Sequence, residues 1–162
     1  MDSQKVTLTW HEVAMAAVVG QFRYLSSIKQ GRVGRHGFSG GKWTEHIEGA
    51  CGEYALAKYL GVHWDGSVDA FNRADVGRLE VRTRSRHEWD LIVRLDAPDE
   101  SPFVLVTGLA PQFRVRGWIR GCDAKREAWL SNHGNYATAY FVPASALRSM
   151  SDLNIQEATH GW

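Results

Sequence analysis

The eight residues from Asp75 to Arg82 constrain the fold most, because they hold two carboxylates and two arginines around a glycine. Glycine at the first central position of a two-residue loop is typical of a type II′ turn, so the stretch predicts a tight hairpin that turns at Gly77-Arg78. In that register Asp75 lies opposite Glu80. Glu80 and Arg82 share a face because strand side chains repeat every second residue. The sequence therefore predicts a polar face that brings both acids and Arg82 together.

This polar face has two possible explanations. Two like charges opposite each other destabilise a sheet, and a cation between them offsets that cost. Hard divalent ions such as Mg²⁺ are bound by carboxylate oxygens. The alternative is an exposed hairpin face whose acids pair with neighbouring arginines. The stretch by itself favours neither explanation.

Two helices are predicted before the hairpin, over about residues 9–61. Thr9 followed by Glu12 forms a capping box, and apolar residues near helical spacing continue to about Ile28. The second helix is predicted to begin near Thr44 and to end at Gly61, a residue type favoured just past a helix C-terminus.

Glu53 is the unusual residue of the second helix, because it falls on the same face as small and apolar residues. A carboxylate that faces a core is unfavourable unless it is paired or binds a metal. We therefore interpret Glu53 as a functional residue. The alternative is a glutamate at the margin of the apolar stripe that reaches solvent.

After the hairpin, apolar runs and alternation predict four strands, over about residues 91–95, 103–107, 113–119 and 138–142. A short helix is the alternative for residues 91–95. A helix is predicted from Asp123 to about Leu130, and a short helix over residues 144–150. The final dozen residues should be loosely held. The expected organisation is one domain over 1–162, with helices at about 9–61, a sheet core at about 68–142 and a short helix and tail at 143–162.

Composition excludes some classes of protein and leaves others open. The chain has 162 residues and a net charge of +1, so no strong global field attracts nucleic acid. The two cysteines have no metal-ligand spacing, which indicates free thiols in a reducing compartment. No apolar run approaches the roughly 18 residues of a membrane span. The chain is expected to be soluble and cytoplasmic, with no membrane partner.

Basic residues near the hairpin could bind nucleic acid. Between residues 31 and 42 there are five glycines and four basic or imidazole side chains, among them Arg35 and Lys42. Such a loop could close over a phosphate backbone, although a plain flexible connection explains it as well. Arg84 and Arg86 follow the hairpin and are further candidates, because arginine binds phosphate in a bidentate manner.

The helix with Gly52-Glu53 and the following Asp75…Glu80-Val81-Arg82 together resemble the PD-(D/E)XK nuclease superfamily, the restriction-endonuclease-like fold. The motif Asp-Val-Gly-x-x-Glu-Val-Arg is similar to the motif of small phage and bacterial members of this superfamily. The resemblance covers residues 44–108. It implies an α+β fold in which helices flank a mixed central sheet and the motif hairpin lies at Asp75–Arg82.

The resemblance also implies roles for individual residues. Asp75, Glu80 and the Val81 carbonyl would bind Mg²⁺ or Mn²⁺, and Glu53 would hold the metal directly or through water. Arg82 stands where the family has lysine. Arginine stays protonated and cannot act as a general base, but it can orient a water or hold a phosphate oxygen.

The expected function is metal-dependent hydrolysis of phosphodiester bonds in DNA, with Glu53, Asp75, Glu80 and Arg82 as the catalytic residues. The arginine in the lysine position favours an alternative. In it, the nuclease fold is catalytically weak or inactive and serves as a nucleic-acid- or protein-binding module. A third possibility is a structural domain whose acids only pair with arginines. The oligomeric state is not predicted.

Overall fold

A computed structural model describes residues 4–32, 41–70, 73–133 and 137–159. The fold is α+β, with a mixed central sheet flanked by helices as predicted. Two long helices cover one face of a four-stranded sheet, and a three-stranded sheet contributes to the core on the other face. No helix among the described residues is both long and apolar enough to span a membrane.

Within the described ranges there are four helices and seven strands, numbered in chain order. The helices are α1 (Trp10–Lys29), α2 (Lys42–Leu60), α3 (Gly121–Ala124) and α4 (Ile155–Thr159). The strands are β1 (Gln4–Thr7), β2 (Glu80–Arg84), β3 (Leu91–Arg94), β4 (Pro102–Leu109), β5 (Gln112–Arg120), β6 (Leu130–Ser131) and β7 (Ala139–Val142). All four predicted later strands are therefore confirmed, as β3, β4, β5 and β7.

Strand β2 forms one edge of the larger sheet, whose order is β1-β5-β4-β2. It runs parallel to β4, whereas β5 is antiparallel to both β4 and β1. Val81 pairs with Val104, and both belong to the core beneath the long helices. Alternation therefore directs Glu80, Arg82 and Arg84 to the opposite face of the sheet.

The predicted turn at Gly77-Arg78 is confirmed, but the hairpin around it is shorter than expected. Val76 and Leu79 exchange backbone hydrogen bonds of 2.8 and 3.1 Å, and Gly77 has a φ of 61°. The ladder stops at this single bridge, so the predicted pairing of Asp75 with Glu80 as ladder residues is wrong. From Glu80 onward the chain pairs with β4 instead, because that long buried strand offers a five-residue parallel ladder.

Helix α1 begins as predicted, with the Thr9 side chain and the Glu12 side chain each accepting the other's backbone N–H, at 3.2 and 2.7 Å. Helix α2 begins earlier than predicted, after Gly41, and has no side-chain cap. Its predicted end at Gly61 is confirmed by a left-handed backbone there.

The buried face of α1 is not the face with the largest apolar side chains. Ala16, Gly20 and Tyr24 are buried. Half-exposed apolar residues line the outer face: Met15, Val18, Phe22, Leu25 and Ile28. The reason is a close crossing of the two helices. A Cβ built on Gly20 would lie 2.6 Å from the Ile47 Cα and 2.7 Å from the His46 carbonyl oxygen.

Gly20→Ala should therefore destabilise the protein by about 1–3 kcal/mol, because the added methyl meets backbone that cannot rotate away. Gly49→Ala is the matched control, since its Cβ would meet nothing within 4 Å. In an α-helix that change should be neutral or stabilise by about 0.5–1 kcal/mol. Urea denaturation measures both free energies of unfolding. Equal values for the two variants would contradict the close crossing.

The C-terminal part of the chain differs most from the sequence-based expectations. The helix predicted from Asp123 to Leu130 is wrong: α3 ends at Ala124, and a 3₁₀ turn follows. Two 3₁₀ turns, at 144–146 and 150–152, replace the predicted helix over 144–150.

The tail was also expected to be loose, but Leu153 and Ala158 are buried in the core. The Ala158 carbonyl accepts a 2.7 Å hydrogen bond from the Arg78 N–H. The tail thus packs against the turn that precedes β2.

Candidate functional site

Helix α2 and strand β2 meet at a glycine, and this contact positions the candidate site. A Cβ on Gly52 would overlap the side chain of Thr83. Glycine therefore lets the helix backbone approach the strand closely. The next residue along the helix, Glu53, is 6% exposed, so its carboxylate is buried where α2 contacts β2.

The predicted grouping of Asp75, Glu80 and Arg82 is confirmed. Arg82 Nη1 lies 3.7 Å from Asp75 Oδ2 and 3.5 Å from Glu80 Oε2. The same nitrogen donates a 3.0 Å hydrogen bond to the Val81 carbonyl. Arg82 Nη1 is thus close to three of the four groups that the resemblance implies as metal ligands.

Burial disfavours the charged forms of both acids in the cluster, even beside Arg82. Burial raises the pKa of Asp75, although its 2.7 Å hydrogen bond from the Val81 N–H and the Arg82 charge oppose the shift. Burial also raises the pKa of Glu80, and the neighbouring Asp75 charge raises it further. Carboxylates with raised pKa values in one cluster are typical of functional sites.

Glu53 is buried as expected, but its direct partner is a residue of α1. Arg23 Nη1 and Nη2 donate to its two oxygens at 2.6 and 2.9 Å, and Trp64 Nε1 donates at 3.1 Å. Both Glu53 oxygens accept hydrogen bonds in this arrangement, and a role for Glu53 in holding a metal, directly or through water, stays a prediction. Electrostatic coupling to Asp75 still links the two carboxylates.

Burial and the contact between Arg23 and Glu53 shift the pKa of each group in opposite directions. Burial raises the pKa of Glu53, with a further contribution from Asp75, while the Arg23 hydrogen bonds lower it. Burial by itself would lower the pKa of Arg23, but Glu53 raises it. The short bidentate contact decides in favour of an ion pair, since fork-to-fork geometry is the strongest arrangement of these two groups.

Sequence reasoning missed Arg23, although the sequence contains a signal for it. Arg23 is the single charged residue between 13 and 28. It also falls on the face of α1 that carries Ala16, Gly20 and Tyr24. A buried charge is strongly destabilising unless it is paired. A lone cation on a buried helix face therefore predicts a carboxylate partner, just as the buried carboxylate of Glu53 predicts a cation.

The predicted nucleic-acid-binding residues are spread over different places. The guanidinium carbons of Arg84 and Arg86 lie 4.8 and 5.4 Å from the centroid of the Trp89 ring. The Arg84 Nε is buried and has no hydrogen-bond partner among the described residues. Lys42 opens α2, eleven residues before Glu53 and so roughly 16 Å along the helix. Arg35 lies outside the described residues.

Two carboxylates and one backbone carbonyl are the oxygen groups close to Arg82 Nη1. No group of three or more His, Cys, Asp or Glu side chains in the described part of the chain could hold a metal ion. Asp75 and Glu80 supply two carboxylates, and the Val81 carbonyl supplies a third oxygen. Mg²⁺ is commonly bound by one or two carboxylates, with waters or substrate phosphates completing its shell.

Neither Lys58 nor Lys125 takes the place of Arg82 as a proton acceptor in the cluster. Lys58 Nζ lies 2.7 Å from Glu12 Oε2 and 3.0 Å from the Thr7 carbonyl oxygen. Lys125 Nζ lies 2.6 Å from Asp99 Oδ1. Both amines are therefore held by partners outside the cluster.

Comparison of the chain with models of known protein families, with curated proteins and with solved structures found no match.

Proposed function

We propose that this protein is a metal-dependent nuclease that hydrolyses phosphodiester bonds in DNA, with a restriction-endonuclease-like fold. One observation carries the proposal: Asp75, Glu80 and the Val81 carbonyl surround a single cationic nitrogen at 3.0–3.7 Å. This is the ligand set expected for Mg²⁺ or Mn²⁺, and the raised pKa values of both acids are consistent with a site that requires a cation.

Each residue of the cluster would have a different role in the reaction. Asp75, Glu80 and the Val81 carbonyl would hold the ion, whose chemistry is to lower the pKa of a bound water and to offset charge on the phosphate. Arg82 would leave its position between the acids and hold a phosphate oxygen, as a preorganised donor. Glu53 would act through Arg23, which it fixes at the edge of the cluster.

A second function is favoured by the position of Arg82 itself. Its guanidinium lies near both carboxylates, so one positive charge is present beside the acids without a metal. In that case the domain binds nucleic acid without cleaving it. Arg84 and Arg86 beside Trp89 would then supply phosphate contacts and a ring for stacking.

Asp75→Asn tests the metal site. We expect Mn²⁺ to bind the wild type and to raise its melting temperature, because a ligand that binds only the folded state stabilises it. The variant should bind Mn²⁺ at least about tenfold more weakly, since second-sphere changes alone cost 10- to 100-fold. Calorimetry and thermal unfolding with and without Mn²⁺ measure both effects.

The control is Asp96→Asn, which removes an equal charge from an exposed position. It should leave Mn²⁺ affinity unchanged. Equal Mn²⁺ binding by wild type and Asp75→Asn would refute the metal site.

Mg²⁺-dependent nicking of plasmid DNA then separates the two functions, because a binding module shifts the DNA in a gel and leaves it uncut.

A further inference from the structure

A pocket of about 210 Å³ opens at the edge of the sheet opposite to β2. It lies between β1, β5 and the loop that follows β2. Its lining residues come from these three segments: Lys5, Val6, Thr7, His87, Gln112, Phe113 and Arg114. The strand order places three strand spacings, roughly 14 Å, between β1 and β2. The pocket is therefore separate from the Asp75 cluster.

The charge of the lining is entirely of one sign. Lys5 and Arg114 are cationic, His87 can become so, and the lining contains no acid. Lys5 and Arg114 are also direct partners in the β1–β5 ladder. Like charges directly opposite each other destabilise a sheet. Neither residue forms an ion pair with a carboxylate in the described ranges, so an anion would relieve this repulsion.

His87 is held in place rather than left free on the surface. Its Nδ1 lies 2.8 Å from the hydroxyl of Thr107, which is fully buried on β4. Its backbone carbonyl accepts a hydrogen bond of 3.4 Å from Arg116 Nη1. Partial burial lowers the pKa of His87, and the charges of Arg114 and Arg116 lower it further.

We propose that this pocket binds the phosphate group of a phosphate monoester. A monoester carries a charge of about −1.5 to −2 at pH 7, which matches the two opposed cations better than the single charge of a diester does. Lys5 and Arg114 supply charge-assisted hydrogen bonds, and the Gln112 amide and Thr7 hydroxyl are additional donors on the rim. The volume exceeds several-fold the roughly 30 Å³ of one water molecule, so the group fits with part of its ester.

The test is a titration of the full chain with inorganic phosphate, followed by backbone amide NMR shifts, without divalent ions so that the Asp75 cluster holds no metal. We expect saturable shifts at residues 5–7 and 112–114. Arg114→Gln and Lys5→Gln should each weaken binding at least about tenfold, the loss expected for one charge-assisted hydrogen bond. Lys5 is exposed, so its variant is safe for folding.

The matched control is Arg94→Gln, which removes one exposed positive charge from β3. It should bind phosphate as the wild type does. Absence of saturable shifts, or equal affinity in Arg114→Gln and the wild type, would overturn the proposal.

Two DNA oligonucleotides that differ only in a 5′-phosphate or a 5′-hydroxyl identify the source of the group. Preference for the phosphorylated strand assigns the pocket to nucleic-acid ends. Binding of inorganic phosphate with no such preference assigns it to a small phosphate ester. Because Asp75→Asn leaves this pocket intact, failure of the nuclease proposal and failure of this one can be told apart.

Discussion

Arg82→Ala should lower Mg²⁺-dependent DNA cleavage about 10²-fold, which is the loss measured when one preorganised electrostatic contact is removed from an active site. The guanidinium lies within 3.7 Å of both carboxylates. A phosphate held there would come within its reach. Arginine supplies positive charge and does not accept a proton, so the loss should appear as a lower kcat at saturating DNA.

Arg82→Lys should keep or raise the activity, because it preserves the charge and restores the residue type of the resembled family. Arg86→Ala is the matched control: its side chain is exposed and its one ion pair, with Glu88, spans 3.9 Å. That variant should change the salt dependence of DNA binding more than the cleavage rate.

The same variants decide between the two proposed functions. If the protein only binds nucleic acid, neither Arg82 variant will cleave DNA, and Arg82→Ala will weaken DNA affinity in a salt-dependent way. Cleavage that depends on Mg²⁺ and is indifferent to Arg82→Ala would place the active site elsewhere in the molecule.

Arg23→Met should destabilise the fold by about 3–5 kcal/mol, the usual cost of removing one member of a buried ion pair. The variant leaves the Glu53 carboxylate buried. It removes the two hydrogen bonds from Arg23 and keeps the one from Trp64 Nε1. Exposed pairs are worth far less, so Arg94→Met should cost less than about 1 kcal/mol. Urea denaturation at neutral pH measures both values.

The loss of stability in Arg23→Met should increase as the pH rises. Without Arg23, the folded-state pKa of Glu53 rises further above its unfolded value. A raised carboxyl pKa contributes stability below the unfolded pKa of about 4.3, and that stability is lost as the pH rises through the folded pKa. The deficit of Arg23→Met should therefore be small near pH 4 and largest near pH 7.

A double variant separates the buried charge from packing. Arg23→Met with Glu53→Gln removes both charges and keeps an acceptor for Trp64. It should recover most of the lost stability, because replacing both partners of a buried pair is far less costly than breaking it. No recovery in the double variant, together with a deficit that is independent of pH, would show that Arg23 acts through packing alone.

Local chemistry was sufficient to predict the centre of the candidate site. The glycine turn, the alternation along β2 and the capping box at Thr9 each depend on a few neighbouring residues, and each is present in the structure. The same local reasoning placed Asp75, Glu80 and Arg82 together and marked Glu53 as a carboxylate on a buried face.

Contacts between distant parts of the chain decided the rest. Arg23 and Glu53 are 30 residues apart, and only the close crossing of α1 and α2 at Gly20 brings them together. The tail was misjudged because the burial of Leu153 and Ala158 overrides local propensity. The parallel pairing of β2 with β4 and the joining of β1 to β5 likewise depend on which strands meet in the sheet. The sequence by itself thus determined the turn and the charged face beside it. Only the tertiary structure paired Glu53 with Arg23 and placed Lys5 opposite Arg114. The reason is that hydrophobic periodicity predicts which face of a helix or strand is buried, but not which element packs against that face.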